Sequence, residues 1–192
     1  MELSTEAKEL VKRFLKTEKQ KNYQFDFLVD SQKYIKWEDV EIGMEEVSKK
    51  EFVVTKEDVD AYNEATDEAN PLFTCEEFAK KTAWGGLIAP PMFITPIAFW
   101  LAGDSEIGNW IKTPGAINPG QKIEFYEPIR VGDVIKARMV AHDKYIKRGK
   151  RYLIYYIEFF NQRGELVVKW WGTLILPLSK PDEEHKIEGV RK

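Results

Sequence analysis

Hydrophobic positions in the second half of the chain fall into four runs that are rich in β-branched and aromatic residues, at 123–126, 134–141, 152–160 and 166–176. Polar segments that contain glycine separate these runs, at 131–133, 147–150 and 161–164. Runs of this composition joined by short glycine turns are typical of β-hairpins. The pattern therefore predicts consecutive hairpins and an antiparallel sheet.

The N-terminal region is predicted to begin with an amphipathic helix. Ser4 and Thr5 can cap a helix that runs to about Lys19. Apolar residues recur at helical spacing along one face of it, and these are Ala7, Leu10, Val11, Phe14 and Leu15. The polar run 16–24 that follows is predicted to be a connection.

A change of composition near Trp37 marks the predicted entry into a domain. Residues 47–54 have the composition of a strand. Thr55 followed by Asp58 is a capping-box-like start for a short helix. After that helix we expect a loop over 66–74 and a second short helix over 75–81.

Residues 85–103 carry no charge and approach the ~20 residues that span a bilayer. Pro90, Pro91 and Pro96 argue against a membrane helix, because lipid offers no partners for the backbone groups that a proline frees. A helix that is apolar all round is also typical of the buried centre of a soluble fold. We predict a helix over 96–102, with Pro96 in its first turn, and no membrane partner.

One architecture combines a single very apolar helix with about five antiparallel strands. In this α+β arrangement, the hotdog fold, the sheet wraps round one long apolar helix, which then presents no face to solvent. We predict such a domain over 37–178, with an N-terminal helical extension (1–36) and a charged C-terminal tail (179–192). Such a sheet leaves long edges, and the pairing of two copies is a common way to cover them.

Composition removes several classes of function. The 192 residues include 29 Lys and Arg against 32 Asp and Glu, a formal net charge of −3, so no excess of positive charge exists to hold a nucleic-acid backbone. One cysteine, Cys75, and two histidines, His142 and His185, cannot form a zinc site of the Cys/His type, and we predict no metal. The N-terminus mixes Glu and Lys without a long apolar run, so we predict no signal peptide and expect the cytoplasm.

Four segments of the sequence are similar to those of a known family. They read ATDEANPLF at 65–73, WGGLIAPPMF at 84–93, FYEPIRVGD at 125–133 and NQRGELV at 161–167. In this order and spacing they resemble the MaoC-like dehydratase and (R)-specific enoyl-CoA hydratase family, over roughly residues 37–177.

The resemblance implies a hotdog dimer that binds an acyl thioester of CoA or of a carrier protein in a tunnel, without a cofactor. Such an enzyme adds water to a trans-2-enoyl chain or removes it from the 3-hydroxy form, in fatty-acid or steroid side-chain metabolism. The family's catalytic pattern is G-D-x-N-P-[LIV]-H, in which Asp and His hold and activate the water. A backbone N–H from an H-G-M-L-like segment stabilises the thioester enolate.

This sequence departs from the family pattern at three positions. Asn70, Pro71 and Leu72 match, but Phe73 stands where the family has histidine. The aspartate position falls on Glu68, with Asp67 one residue earlier. The glycine that donates its N–H falls on Pro91, which has none, although Met92 can replace it as the donor if the turn shifts by one residue. The candidate catalytic residues are therefore Glu68 and Asp67.

Phenylalanine can neither accept nor donate a proton, and loss of a general acid–base group costs about 10²–10⁴ in rate. The family also contains paired hotdogs in which one half keeps the catalytic residues and the other keeps only the fold. We therefore predict a catalytically silent or weak subunit that pairs with a catalytic hotdog subunit to hydrate a 2-enoyl-CoA. The alternatives are a homodimeric, self-sufficient hydratase or acyl-CoA thioesterase that uses Glu68 or Asp67, and a non-enzymatic module that binds acyl-CoA.

The expected substrate contacts come from three regions. Asn70, Phe73, Pro91 and Met92 lie in the segments that resemble the family and are expected to contact the substrate. Trp84 is a further expected contact, because the aromatic residues of the uncharged segment (Trp84, Phe93, Phe99 and Trp100) would suit a bulky apolar acyl group, although plain core packing also explains them. The cluster of Lys147, Arg148, Lys150 and Arg151 is a candidate for the phosphates of CoA, with Arg148 and Lys150 as the expected contacts. The same cluster is also what a solvated hairpin would carry, and both interpretations stand at this point.

Overall fold

The computed structural model describes residues 4–23, 36–102, 113 and 115–177. The helices are α1 (Thr5–Phe14), α2 (Glu18–Asn22), α3 (Lys56–Ala65), α4 (Pro71–Thr74), α5 (Glu76–Lys80) and α6 (Ile94–Ala102). The strands are β1 (Glu45–Val47), β2 (Phe52–Val53), β3 (Ile117–Phe125), β4 (Val134–Lys147), β5 (Lys150–Phe160) and β6 (Leu166–Leu176). The predicted C-terminal tail lies outside the described residues.

The strands form one antiparallel sheet in the order β1-β4-β5-β6-β3, and β2 pairs with β4 beside β1. The predicted succession of hairpins is confirmed for β4, β5 and β6, which are joined at the glycine turns. Strand β4 continues to Lys147 instead of ending at 141, because a bulge between Ala141 and Asp143 absorbs His142 and restores the pairing with β5. Strand β3 likewise begins earlier than expected, at Ile117.

Alternate residues of the sheet point to opposite faces. Leu153, Tyr155 and Ile157 of β5 are buried on the face that packs against α6, where they join the main apolar core. Tyr156 and Trp171 point to the other face, where their rings contact each other at 4.8 Å between centroids. The two faces therefore have different surroundings, and the space beside α6 lies on the inner face.

Helix α6 contains the predicted helix over 96–102 and begins two residues before it. It spans nine residues, from Ile94 to Ala102, and follows a 3-10 turn at Pro91–Phe93. Ile94, Ile97 and Leu101 are almost fully buried, but 46% of Phe99 is exposed. The described helix therefore has one exposed side, at Phe99, contrary to the prediction of a helix with no face in solvent. Within the parts of the chain that the structure describes, no helix is long and apolar enough to cross a membrane.

The N-terminal extension contains two described helices where one was predicted. Helix α1 ends at Phe14, and Thr17 begins α2 through a capping box with Gln20. The prediction of one helix to Lys19 is wrong because this T-x-x-Q signal restarts the backbone after the apolar stripe. The predicted connection over 16–24 is correspondingly helical between Glu18 and Asn22.

The predicted capping box at Thr55 and Asp58 is confirmed and opens α3. The predicted loop over 66–74 instead contains the single helical turn α4, because the side chain of Asn70 caps it at Pro71. Helix α5 spans Glu76–Lys80, close to the predicted 75–81. The chain between α3 and α5 is thus a compact, hydrogen-bonded segment.

Candidate functional site

The segment that follows α3 carries both candidate carboxylates, and its backbone positions them differently. Asp67 adopts a left-handed backbone conformation, with a φ angle of 53°, and its side chain is exposed. The N–H of Glu68 donates to the carbonyl of Asn63 at 2.8 Å, which turns the chain back toward α3. Glu68 is consequently half-buried, and Asp67 points into solvent.

The Glu68 carboxylate takes part in the turn that precedes α4. Its Oε1 accepts a hydrogen bond from the backbone N–H of Asn70 at 2.9 Å. Burial, and then the negative charge of Glu68, raises the pKa of the Tyr62 hydroxyl, which shows that this carboxylate lies within electrostatic reach of that ring. Glu68 therefore already stabilises the turn through Oε1, and a role as a base would use the other carboxylate oxygen, Oε2.

Asn70 fixes the start of α4. Its Oδ1 accepts from the N–H of Leu72 at 3.0 Å, and its carbonyl accepts from the N–H of Phe73 at 3.0 Å. The side chain and the carbonyl are both engaged within the turn, so the matched Asn-Pro pair has a structural role here that explains it locally. The expected substrate contact of Asn70 stays a prediction.

Phe73 is half-buried, and its backbone is held by a residue that the sequence analysis missed. The carbonyl of Phe73 accepts from Nδ2 of Asn63 at 3.0 Å. Asn63 is 5% exposed, and its Oδ1 has no hydrogen-bond partner among the described residues. Asn63 lies four residues after the buried Val59 and therefore on the same face of α3. A polar residue on this apolar face is the sequence signal that indicates a buried hydrogen-bonding role for Asn63.

The turn Pro91–Phe93 precedes α6 and supplies the candidate oxyanion donor. Pro91 has no N–H, and the N–H of Phe93 donates to the carbonyl of Pro90 at 2.9 Å. The N–H of Met92 has no acceptor within the described residues, as is usual at the start of a helical turn. The structure therefore leaves one free backbone N–H in this turn, and it belongs to Met92.

Trp84 lies at the start of the segment that leads to this turn. Its side chain is 42% exposed, and its carbonyl accepts from the guanidinium of Arg130 at 2.6 Å. Arg130 also forms an isolated β-bridge with Ile88. These contacts attach residues 84–88 to the loop before β4 and so fix the approach of the chain to Pro91.

A cavity of about 260 Å³ lies beside the Pro91–Phe93 turn, between α6 and strands β3, β5 and β6. We call it the acyl cavity, after the acyl chain that the resemblance leads us to expect. It is lined by Met92, Thr95, Ala98, Phe99, Ala102, Asn118, Gln121, Tyr155, Ile157 and Trp170. Met92 is the only predicted contact residue in this lining. The other predicted residues of the 67–91 region, Asp67, Glu68, Asn70, Phe73, Trp84 and Pro91, do not line it.

The acyl cavity is apolar, with a few polar groups on its wall. Burial raises the pKa of the Tyr155 hydroxyl to about 12, so the group is a neutral phenol at ordinary pH and can donate a hydrogen bond. The Nε1 of Trp170 is buried without a hydrogen-bond partner among the described residues. The cavity thus offers a shape and chemistry that suit an apolar chain with few polar atoms.

Arg148 and Lys150 lie at the tip of the hairpin between β4 and β5. Arg148 and Gly149 have φ angles of 50° and 72°, the left-handed pair that a two-residue hairpin turn requires. Both basic side chains are exposed. Lys150 precedes Tyr155 by five residues of strand, about 17 Å at ~3.4 Å per residue, so the tip stands well away from the acyl cavity of the same chain.

His142 does not supply the missing imidazole. It lies at the β4 bulge, and its ring contacts Trp171 at 4.9 Å and Tyr156 at 5.9 Å between centroids. Those two aromatic residues are on the face of the sheet that points away from α6. His185 lies outside the described residues. Among the described residues there is also no group of three or more His, Cys, Asp or Glu side chains that could hold a metal ion.

A family model, a curated relative and solved structures all match this chain to dehydratases. The family model for the FAS1-like dehydratase domain region matches residues 41–170, about two thirds of the chain. The chain is 30% identical over 103 residues to a 3-hydroxybutyryl-CoA dehydratase of Methylorubrum extorquens. That alignment covers 54% of this chain and 61% of the relative, so the chain spans less than two thirds of that protein.

Solved structures show the fold. A chain of the C-terminally truncated HadBC (3R-hydroxyacyl-ACP dehydratase) complex from Mycobacterium tuberculosis superposes with a TM-score of 0.60 at 26% identity, over 70% of this chain and 96% of that one. The MaoC-like dehydratase from Rhodospirillum rubrum superposes with a TM-score of 0.62 at 22% identity, over 72% of this chain and 94% of that one. With the antiparallel sheet packed on α6, these matches confirm the hotdog fold. The chain therefore belongs to the MaoC-like hotdog dehydratase family, which it matches through its FAS1-like dehydratase region.

Proposed function

We propose that this chain is the catalytically silent or weak subunit of a 2-enoyl-CoA hydratase, and that it pairs with a second hotdog subunit that carries the catalytic Asp and His. Membership of the family supports the reaction class. The observation that carries the finer proposal is Phe73, a half-buried benzyl side chain at the end of the Asn-Pro-Leu motif, where the family has its imidazole.

Hydration of an enoyl thioester requires an acceptor for a proton of water, a donor to the α-carbon and a partner for the developing oxyanion. Phe73 can perform neither proton transfer. His142 is on the opposite face of the sheet from α6. Glu68 accepts a hydrogen bond from Asn70 and so serves the turn. The described residues thus support binding of a thioester better than its hydration.

In this proposal the subunit contributes a wall for the acyl chain. The acyl cavity of about 260 Å³ is apolar and can accept part of an alkyl chain. The free N–H of Met92, in the turn that precedes α6, can donate to a thioester oxygen, since an N–H at the start of a helical turn has no internal partner. Such a donor orients a substrate whether or not the same chain carries the base.

An exposed sheet edge supports the need for a partner. Among the strands that the structure describes, β3 lies at one end of the sheet, and its side chains at Ile117 and Phe125 are 54% and 48% exposed. Apolar residues on an open edge favour pairing with another strand. The M. tuberculosis relative was solved as a complex, which supports assembly with a second chain here.

A second candidate function is a weak, self-sufficient hydratase or thioesterase of the same fold. The observation that favours it is the combination of a half-buried carboxylate at Glu68 with a free N–H at Met92. Release of free CoA thiol from an acyl-CoA would identify a thioesterase, whereas loss of the enoyl absorbance would identify a hydratase.

The decisive experiment assays crotonyl-CoA hydration by the purified chain alone, by a hotdog protein with an intact Asp and His from an adjacent reading frame, and by the two together. The proposal expects little or no turnover by this chain alone, co-elution of the pair, and greater activity of the pair than of either component. Robust turnover by the chain alone would overturn it, and loss of that turnover in Glu68→Ala would then identify the base. Acyl-CoA binding without turnover in any combination would instead establish a binding module.

A further inference from the structure

The outer face of the sheet, which points away from α6, carries large side chains that are only partly covered. Alternate residues of β5 and β6 point to it, and they are Tyr152, Ile154, Tyr156, Glu158, Lys169, Trp171, Thr173 and Ile175. All of them are partly exposed, whereas Leu153, Tyr155 and Ile157 between them are buried on the inner face. A broad, partly apolar face of this kind is a candidate interaction surface.

Four charged side chains cross the outer face in a row, one on each of four neighbouring strands. The register pairs Arg138 of β4 with Glu158 of β5, and Glu158 with Lys169 of β6. It pairs Lys169 in turn with Glu124 of β3. The Lys169 ammonium is 2.8 Å from the Glu158 carboxylate, and Arg138 also pairs with Glu45 of β1 at 2.9 Å. The signs of these four residues, which we call the charge row, therefore alternate from strand to strand.

An aromatic pair lies directly beside the charge row. Tyr156 of β5 is the register partner of Trp171 of β6, and their ring centroids are 4.8 Å apart. The Lys169 ammonium lies over both rings, 4.0 Å and 4.9 Å from their centres. These cation–π contacts hold the long side chain of Lys169 along the sheet rather than out in solvent. Charged and aromatic groups thus form one continuous surface.

The alternation of charge determines which partner fits this surface. We consider a second copy that packs face to face about a two-fold axis along the strands, between β5 and β6. This axis reverses the order of the strands in the copy, so Glu158 faces Lys169 of the copy and Arg138 faces its Glu124. A two-fold axis along the charge row would instead place like charges opposite each other, which is unfavourable. The surface is therefore complementary to itself in one arrangement.

The size of the outer face suits a specific but weak contact. Four strands ~4.8 Å apart are about 19 Å wide, and the length from Tyr152 to Phe160 is about 27 Å at ~3.4 Å per residue. Two copies would then bury about 1,000 Å² in total, the lower limit for a specific interface. The basic hairpin tips at Arg148 would lie about 14 Å apart, with sheets ~10 Å apart. That distance exceeds the screening length of ~8 Å at physiological salt, so their repulsion is small.

We propose that the outer face binds a second copy of this chain through this two-fold contact, with Tyr156 against Trp171 of the copy and the two charge rows facing each other. The backbone edge of β3, where the proposed catalytic subunit would pair, lies at the side of this face. Both contacts can therefore form at once, and the inference goes beyond the proposed hydratase without resting on it. A complex with a catalytic subunit would then hold two copies of each chain.

Charge reversal at two facing positions tests this contact. The full chain is followed by analytical ultracentrifugation from ~1 to ~200 µM, since a contact of this size is expected to associate in the micromolar range. We expect a monomer–dimer equilibrium for the unmodified chain. Lys169→Glu and Glu158→Lys should each weaken dimerisation at least ~10-fold, because each variant faces its own copy with like charges. An equimolar mixture of the two should dimerise again, because the facing charges at 158 and 169 are then opposite.

Lys80→Glu is the matched control, because Lys80 forms an exposed ion pair with Glu76 on α5, and it should leave dimerisation within twofold. A chain that stays monomeric over the whole concentration range would overturn the proposal. A dimer that both variants leave intact would also overturn it and would place the contact at the β3 edge. Folded variants that stay monomeric when mixed would contradict it as well, since they would act only within their own chains.

If either variant does not fold, oxidative footprinting of the unmodified chain decides the question. Tyr156 and Trp171 should be oxidised less at ~200 µM than at ~1 µM, the range in which a micromolar contact forms. Tyr126, which is 53% exposed and follows β3, should be oxidised equally at both concentrations. Oxidation of Tyr156 and Trp171 that does not change with concentration would overturn the proposal.

Discussion

The ring of Tyr155 on β5 covers the backbone of Gly172, its register partner on β6. A Cβ atom at position 172 would lie 2.3 Å from Cζ and 2.4 Å from the hydroxyl oxygen of Tyr155. Gly172 therefore leaves the space that the phenol occupies, and the phenol reaches the acyl cavity across it. The pair defines part of the wall on which the proposed acyl chain would lie.

Gly172→Ala is expected to destabilise the fold, because the added methyl group requires a buried aromatic ring to move. Overpacking of this kind costs about 1–3 kcal/mol in the free energy of unfolding, which urea denaturation measures. In a Tyr155→Val background the same change should cost less than half as much, since the clashing atoms are gone. Equal costs in the two backgrounds would show that the ring is not the cause.

Tyr155 also predicts a dependence of stability on alkaline pH. Burial raises the pKa of its hydroxyl from 10.0 to about 12, so the folded state holds the proton more tightly than the unfolded state does. The resulting stabilisation is fully present below pH 10 and is lost as the pH rises through about 12. The loss amounts to about 3 kcal/mol, from two pH units at ~1.4 kcal/mol each.

Urea denaturation at pH 9 and at pH 11.5 should show about 2 kcal/mol of this loss, because pH 11.5 is still below the pKa of about 12 in the folded state. Tyr155→Phe should reduce the difference between the two values. Tyr145→Phe is the control, because Tyr145 is 37% exposed and stacks on Tyr152 at the hairpin. A pH dependence that Tyr155→Phe leaves unchanged would assign it to other groups.

Much of the fold could be predicted because its signals are local. The strands alternate or are continuously apolar, and glycine turns separate them, so the hairpins are readable from the sequence. The bulge at His142 is not, because the polar residues His142 and Asp143 end the apolar run while the pairing with β5 continues past them. The break between α1 and α2 has a local signal, since Thr17 and Gln20 form a capping box. The apolar stripe that continues through Leu15 favours one unbroken helix instead, and the prediction followed the stripe.

The site divides in the same way. Asn70 and Met92 belong to local turns, and a motif can identify them. Asn118, Tyr155 and Trp170 line the acyl cavity together only because long-range pairing brings β3, β5 and β6 side by side. The packing of the N-terminal extension on α3 depends on the Lys19–Asp58 pair, whose members are 39 residues apart in sequence. No local pattern carries that information.

Phe73→His tests whether the missing imidazole accounts for the proposed low activity. A general acid–base group contributes about 10²–10⁴ in rate, and an imidazole placed in an unadapted site should recover part of that. We expect hydration of crotonyl-CoA by the chain alone to rise at least ~10-fold, measured as loss of the enoyl absorbance. Phe73→Leu, which keeps an apolar side chain, should show no increase. A folded Phe73→His protein with unchanged activity would point to the carboxylate or the oxyanion donor as the missing element.

The ion pair between α2 and α3 should contribute to stability more than a surface pair does. In Lys19→Met the carboxylate of Asp58, which is 7% exposed, loses its cation and keeps the hydrogen bonds from Thr55. We expect a loss of about 2 kcal/mol in the free energy of unfolding, less than for a fully buried pair because those hydrogen bonds remain. Lys12→Met is the matched control, since Lys12 pairs with Glu9 on the surface of α1, and surface pairs contribute ~0–1 kcal/mol. Similar losses in the two variants would show that Asp58 does not depend on Lys19.

Asn63 holds both ends of the segment that contains Glu68 and Phe73, through its carbonyl and its side-chain amide. Asn63→Ala removes the hydrogen bond to the Phe73 carbonyl and should lower the free energy of unfolding by about 1 kcal/mol. The larger effect should be on the local opening of this segment. In the variant the hydrogen bond from the Glu68 N–H to the carbonyl of residue 63 still holds one end, but nothing from residue 63 holds the Phe73 end. Hydrogen exchange at Glu68 and Phe73 should accelerate well beyond the change in global stability. Asn118→Ala, at an exposed position, is the control, and exchange that follows global stability alone in Asn63→Ala would show that the turn is held by its own capping at Asn70.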